Sequence, residues 1–214
     1  MLTVYGRADS NNVQPVMWLI AELGVSHERL DFGQRFGGTD TPDFLAMNPM
    51  GLVPVIKDGD DEPISEAGAI LRYLAARYGD GGAFWPNDPR RRAQVDRWAE
   101  WAKIEVASAF QVPVFMGIIR TKPETRDTAA LEKAIAALDR RLDIAEAKLS
   151  QQDYLAGPDF TLADIVLGSL LFRYFTVEMS RKERPHLSAY YERLSRRPAY
   201  AEHVMVSYEA LRIA

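Results

Sequence analysis

The chain of 214 residues contains no cysteine. That absence removes disulfides, thiolate zinc sites, a thiol nucleophile and a Cys-x-x-Cys redox pair together, and it agrees with a reducing, cytoplasmic setting. Histidine is scarce too: His27, His186 and His203 fit no metal-ligand spacing. No metal is therefore expected, and no Ser-His-Asp triad. There is no Gly-x-Gly-x-x-Gly pattern and no phosphate loop. No apolar run approaches the roughly 20 residues that span a bilayer; the longest, residues 165–172, has the length of a buried helix. The opening Met1-Leu2-Thr3-Val4-Tyr5-Gly6-Arg7 lacks the basic-then-apolar order of a secretory signal, so the chain is read as cytoplasmic with no membrane partner. Cations do not dominate. With 26 Lys and Arg against 30 Asp and Glu, the net charge of −4 argues against nucleic acid as a partner.

What is present has the composition of an ordinary globular protein of one large or two small domains. Leu2 to Tyr5 is β-prone and ends at Gly6; Val13, Val16, Met17, Ile20 and Ala21 then follow a helical period that Gly24 closes. A second strand over 27–32 and a short helix over 42–47 come next. Val53-Pro54-Val55-Ile56-Lys57, the turn Asp58-Gly59-Asp60-Asp61 and a strand to Ser65 read as a hairpin. Ala67, Ile70, Leu71, Leu74, Ala75 and Tyr78 share one helix face. The order βαβ, α, ββα predicts a thioredoxin-like α/β domain over residues 1–79. Residues 80–89, rich in Gly and Pro, form a linker, and residues 90–214 form an all-helical domain. Within it, a long helix carries Trp98, Trp101 and Phe110 with a kink expected at Pro113. Thr161 and Asp164 have the spacing of a capping box ahead of an all-apolar central helix.

Three local features bear on chemistry. Ser10-Asn11-Asn12 opens the first helix, where free N–H groups and the helix dipole favour an anion and a hydroxyl can donate to a thiolate; simple helix capping explains the same residues. Asn48-Pro49-Met50-Gly51-Leu52-Val53-Pro54 places a proline at a strand entrance. Only about one X-Pro bond in twenty is cis, and a cis bond here would present the Val53 main chain as an open edge for an extended peptide; a plain loop junction is the other reading. Ser65-Glu66-Ala67-Gly68-Ala69-Ile70 begins another helix, with Glu66 favoured in the first turn by the dipole.

Taken in order, these segments resemble the glutathione transferase family over essentially the whole chain. The matching motifs are Asn-Pro-x-Gly-x-Val-Pro, Glu-x-x-Ala-Ile and Phe-Thr-Leu-Ala-Asp. Tyr5-Gly6-Arg7 through Ser10, Asn12, Val13 and Trp18, with Phe36-Gly37 and residues 116–121, is most similar to a bacterial subgroup near the nu and phi classes. The resemblance implies glutathione as co-substrate, with Ser10 hydrogen-bonding its sulfur and Asn12 a second sulfur-side donor. It implies Val53 pairing with the cysteinyl unit across a cis Pro54, and Glu66 and Ala67 at the γ-glutamyl end. It further implies a small electrophile as second substrate, a detoxifying role and a homodimer. Arg7 is a candidate for steering an anionic electrophile, against the alternative of an exposed strand-end arginine; Phe110, Val114 and Phe115 are candidates for an apolar electrophile pocket, against core packing. Two positions depart from the family. Ala67 stands where Ser or Thr is usual, and Leu52 replaces a polar or basic residue. Thr39 and Asp40 likewise replace the His and Lys of some relatives. Loss of one charge-assisted contact, about 1.5–3 kcal/mol, predicts weaker glutathione binding by about 10- to 150-fold. Glutathione-dependent disulfide reduction and a non-catalytic binding role are the alternatives to conjugation.

Overall fold

The structure, a computed structural model, describes residues 1–213. The chain separates into two compact units, residues 1–86 with 199–206, and residues 87–198 with the residues from 207 onward.

The first unit is a four-stranded mixed sheet with helices. Strands β1 (Leu2–Tyr5), β2 (His27–Leu30), β3 (Val55–Asp58) and β4 (Ile64–Ser65) lie in the order β2-β1-β3-β4. β1 pairs parallel to β2, with Leu2 opposite His27, and antiparallel to β3, with Tyr5 opposite Val55. β3 and β4 form the expected hairpin, Val55 facing Ser65. β1 has the expected bounds, whereas β2 stops at Leu30, β4 is only Ile64–Ser65, and β3 begins at Val55 because Pro54 has no N–H to give a ladder. Helices α1 (Val13–Glu22), α2 (Pro42–Met47) and α3 (Ala67–Tyr78) complete the unit. α1 is buried along eight successive residues from Val13 to Ile20. It is covered in part by residues 199–206: the Tyr200 ring sits edge-on to Trp18 at 4.7 Å, and Gln14 Nε2 donates to the Val204 carbonyl at 3.4 Å. Sequence periodicity gave these residues to the helical region.

Asp58 locks α3 to the sheet, its carboxylate accepting from Tyr78 at 2.6 Å and Tyr73 at 2.7 Å. The Tyr78 bond leads in holding Asp58 below the usual carboxylate range, while burial and the same carboxylate push the Tyr73 phenol up to about 12.

The second unit is helical. α4 runs from Pro89 to Ile119, 31 residues, and with a stretch of mean hydropathy 1.4 it is long and apolar enough to cross a membrane by length and composition, although no unbroken apolar run in it is that long. Its Phe110 and Phe115 instead pack among Tyr174 and Tyr208 of the same unit. Pro113 falls inside one of two π-helical stretches, Ala102–Val106 and Gln111–Met116, whose wider turn accommodates the missing N–H. α5 (Thr128–Leu149), α6 (Leu162–Thr176), α7 (Pro185–Ser195) and α8 (Pro198–His203) follow, α8 with residues of the first unit.

α6 is the centre of this unit, buried on nearly every side. Its capping box forms as the spacing predicts: Thr161 Oγ1 accepts from the Ala163 N–H, and Asp164 accepts from the Thr161 N–H at 2.8 Å. Asp164 also accepts from the Leu155 N–H and the Tyr190 hydroxyl, each at 2.8 Å. Complete burial outweighs these donors and raises its carboxyl to about 6.

Candidate active site

The site grows from the crossing of three backbone segments in the first unit. β1 ends at Gly6, whose N–H donates to the Leu30 carbonyl at 2.8 Å. A Cβ at Gly6 would lie 2.5 Å from a Val13 methyl and 3.3 Å from Val53 Cβ, so glycine lets β1, the start of α1 and the proline loop meet. Gly6→Ala is therefore expected to cost about 1–3 kcal/mol of stability by overpacking, measurable by urea unfolding; an unchanged midpoint would show that this crossing has slack.

Ser10 stands in the turn between Gly6 and α1, with 4% of its surface exposed. The turn is tied by Ser10 N–H to the Arg7 carbonyl at 3.2 Å and by Val13 and Gln14 N–H to the Ser10 carbonyl. Ser10 Oγ accepts from the Asn12 N–H at 3.4 Å, which leaves its own proton to donate elsewhere. Asn12 is the residue that enters α1, and its side chain makes no cap hydrogen bond. Ser10 Oγ thus takes a backbone N–H at the helix entrance, as the capping alternative has it, while Asn12 makes no such bond.

The Val53-Pro54 bond is cis. Val53 is half-buried, and among the described residues neither its N–H nor its C=O is paired within the protein. Pro54 is buried beneath, and Leu52 is 59% exposed. The loop is shaped by Asn48, a residue the sequence reading did not single out: its amide donates to the Leu52 carbonyl at 2.8 Å and its oxygen accepts from the Met50 N–H. Asparagine before a turn was the available signal.

Glu66 and Ala67 lie one strand further along, since Ser65 pairs with Val55 two residues past Val53. Glu66 is exposed and is the residue before α3, not a first-turn residue as expected. Its φ of +68° is a left-handed conformation that costs a non-glycine residue about 1 kcal/mol or more, and such strain gathers at functional sites. Ala67 is 5% exposed at the helix start.

The sequence-predicted residues thus stand where elements of this unit begin or end: Ser10 between β1 and α1, Val53 ahead of β3, and Glu66 and Ala67 between β4, which pairs with β3, and α3. Arg7 is buried, not exposed at the strand end, and lies 3.4 Å from Asp9, itself buried. Phe110, Val114 and Phe115 belong to the second unit, at 1%, 0% and 0% exposure; the rings of Phe110 and Phe115 stand 5.9 Å apart, with the Arg173 guanidinium 4.8 Å from the Phe115 centroid. They do not line the open cavity of about 580 Å³ in that unit, whose walls include Ile118, Arg126 and Ile213. No group of three potential metal ligands occurs among the described residues.

Residues 1–76 match the family model for the glutathione S-transferase N-terminal domain, and residues 107–198 that for the C-terminal domain. The chain is 36% identical to glutathione S-transferase GstB of Escherichia coli over 96% of this chain and 99% of that protein. It is 33% identical to glutathione S-transferase 3 of Zea mays, covering 95% of this chain and 93% of the relative. Among solved structures, the theta class glutathione S-transferase of Xanthomonas axonopodis pv. citri, with glutathione bound, aligns at a TM-score of 0.89 and 40% identity, over 96% of this chain and 98% of that one.

Proposed function

The chain belongs to the glutathione S-transferase family and is a glutathione transferase, and from that premise we propose that Ser10 activates the glutathione thiol for attack on small electrophiles. The observation that carries the reading is the unpaired main chain of Val53, an open peptide edge between the Ser10 turn and the start of α3. An extended tripeptide laid on Val53 by main-chain hydrogen bonds would reach toward Ser10 with its cysteinyl side chain and toward Glu66 and Ala67 with its γ-glutamyl end. The Glu66 carboxylate complements an ammonium, and the N–H groups at the α3 start complement a carboxylate.

In this scheme the thiol gives its proton to solvent. The Ser10 hydroxyl donates to the resulting thiolate, with Asn12 as the second donor. The thiolate then attacks the electrophilic carbon, a C–S bond forming as the carbon–halogen bond breaks and halide leaves to solvent; no covalent enzyme intermediate forms, so catalysis is charge stabilisation plus positioning. The small electrophile, a detoxifying role, a cytoplasmic setting and a homodimer are parts of the proposal that rest on family resemblance. Phe110, Val114 and Phe115 are buried in the helical unit and Arg7 lies beside Asp9, so no role toward the electrophile is proposed for them.

The test is turnover of a chlorinated aromatic, a haloacid and hydroxyethyl disulfide, each with glutathione, by wild type and Asn12→Ala. Conjugation of one of the first two is expected. Turnover of the disulfide alone would replace conjugation with disulfide reduction, and no turnover at all would leave a binding protein.

Ala67 supplies a separate expectation. Ala67→Ser adds a hydroxyl donor where a carboxylate is proposed to sit, and one such bond is worth about 1–1.5 kcal/mol. Calorimetry should show glutathione binding about 5- to 10-fold tighter. Unchanged affinity would detach residue 67 from the γ-glutamyl end, and low-micromolar binding by the wild type would remove the idea that Ala67 weakens the site.

A further inference from the structure

We infer that Arg35 is a positioning residue for thiol activation, acting on Ser10 through the buried carboxylate of Asp9. Asp9 is 3% exposed and precedes Ser10 directly. Its carboxylate lies between two guanidiniums, with Arg35 Nη1 at 2.6 Å from Oδ2 and Arg7 Nε at 3.4 Å from Oδ1. A desolvated carboxylate holds its place only while such partners are present. Asp9 therefore fixes the turn that aims the Ser10 hydroxyl.

Arg35 reaches Asp9 from the turn over residues 33–37. Residues 33–37 are closed by their own backbone bonds, Gly33 N–H to the Gly37 carbonyl at 2.8 Å and Phe36 N–H to the Gly33 carbonyl at 3.2 Å. The Arg35 guanidinium stacks over Phe36 at 4.5 Å, again inside the turn. At its start the turn faces Val53, since a Cβ on Gly33 would stand 3.6 Å from both Val53 methyls. The ion pair thus closes a circuit from Val53 through Gly33 and Arg35 to Asp9 and Ser10. It links the proposed main-chain grip to the proposed thiolate donor.

The exposure of the partners separates this role from plain stability. The Arg35 side chain is 47% exposed, and with Arg35 removed the Arg7 guanidinium still faces the buried Asp9 carboxylate as counter-charge, so the loss of global stability is small. Hydroxyl placement, by contrast, matters at a fraction of an ångström. The inference rests on the reading of Ser10 as thiolate donor, so Ser10→Ala is run beside Arg35→Ala and Arg35→Lys. For Arg35→Ala, kcat/KM should fall about tenfold, ionisation of enzyme-bound glutathione, followed by thiolate absorbance across pH, should move to higher pH, and the thermal midpoint should stay near wild type. Arg35→Lys should recover part of both kinetic changes, because an ammonium still meets Asp9. If Arg35→Ala keeps wild-type kcat/KM and thiol titration while Ser10→Ala loses them, the positioning role is overturned. A lowered thermal midpoint without a change in thiol titration overturns it too. If Ser10→Ala is itself unimpaired, the donor reading fails first.

Discussion

Ser10→Ala is expected to lower kcat/KM with glutathione by about 10²-fold, the range seen when one preorganised donor to a developing anion is lost. The hydroxyl is nearly excluded from water, and its oxygen already accepts from the Asn12 N–H at 3.4 Å, which leaves its proton to be donated. A thiolate in that position exchanges solvent donors for this one, so the alanine variant loses a charge-assisted bond of about 1.5–3 kcal/mol. The same loss should move the rise of the pH–rate profile upward by about one to two pH units. Asn12 and the N–H groups opening α1 remain, so residual activity above the uncatalysed rate is expected. A variant with unchanged rate and unchanged profile would assign the thiolate to Asn12 or to backbone N–H groups alone.

The second large effect concerns stability. Asp164→Ala leaves the N–H groups of Leu155 and Thr161 and the Tyr190 hydroxyl without their acceptor, deep inside the helical unit. Breaking a buried charged network of this kind costs about 3–5 kcal/mol, which for a chain of this size lowers the thermal midpoint by about 10 °C. Asp164→Asn isolates the pH dependence. The carboxyl titrates at about 6 in the fold against an ordinary 3.8, because burial disfavours the ionised form more than the donors favour it. The folded state therefore holds the proton more tightly. The stability this group contributes is complete below about pH 4 and is lost as pH rises through about 6. Asparagine does not titrate. The stability advantage of wild type over Asp164→Asn should then shrink by about 1–3 kcal/mol between pH 4 and 7 and stay level above it. Urea unfolding at several pH values measures this. An advantage that grows with pH would mean the donors win over burial.

These two effects differ in how far they can be read from the chain. Thr161 and Asp164 are three residues apart ahead of an apolar run, so local spacing alone announces the capping box. The strand–helix order, the hairpin across Asp58-Gly59 and the one-sided face of α3 are legible for the same reason: each is written in neighbouring residues. The Val53-Pro54 bond is legible only through resemblance, since most X-Pro bonds are trans. What escaped depends on partners distant in sequence. Arg35 and Asp9 are 26 positions apart, and nothing in either segment specifies the pairing. Residues 199–206 read as one more helix of the second region, yet Tyr200 packs on Trp18 of the first unit. Glu66 carries the spacing of a first-turn acid, and its positive φ is imposed by the hairpin and α3 meeting at that residue. Phe110 and Phe115 have the composition of a pocket wall and of a core equally, and only their ring contacts place them inside the helical unit.

The central claim is a three-point hold on glutathione at Ser10, Val53 and Glu66–Ala67, with Ser10 at the sulfur. The most direct test is a crystal structure of the wild-type protein with glutathione. The account predicts the cysteinyl N–H and C=O paired with the Val53 main chain, the sulfur within hydrogen-bonding distance of Ser10 Oγ, and the γ-glutamyl end at the start of α3. A tripeptide whose sulfur faces away from Ser10, or whose main chain leaves Val53 unpaired, would contradict it.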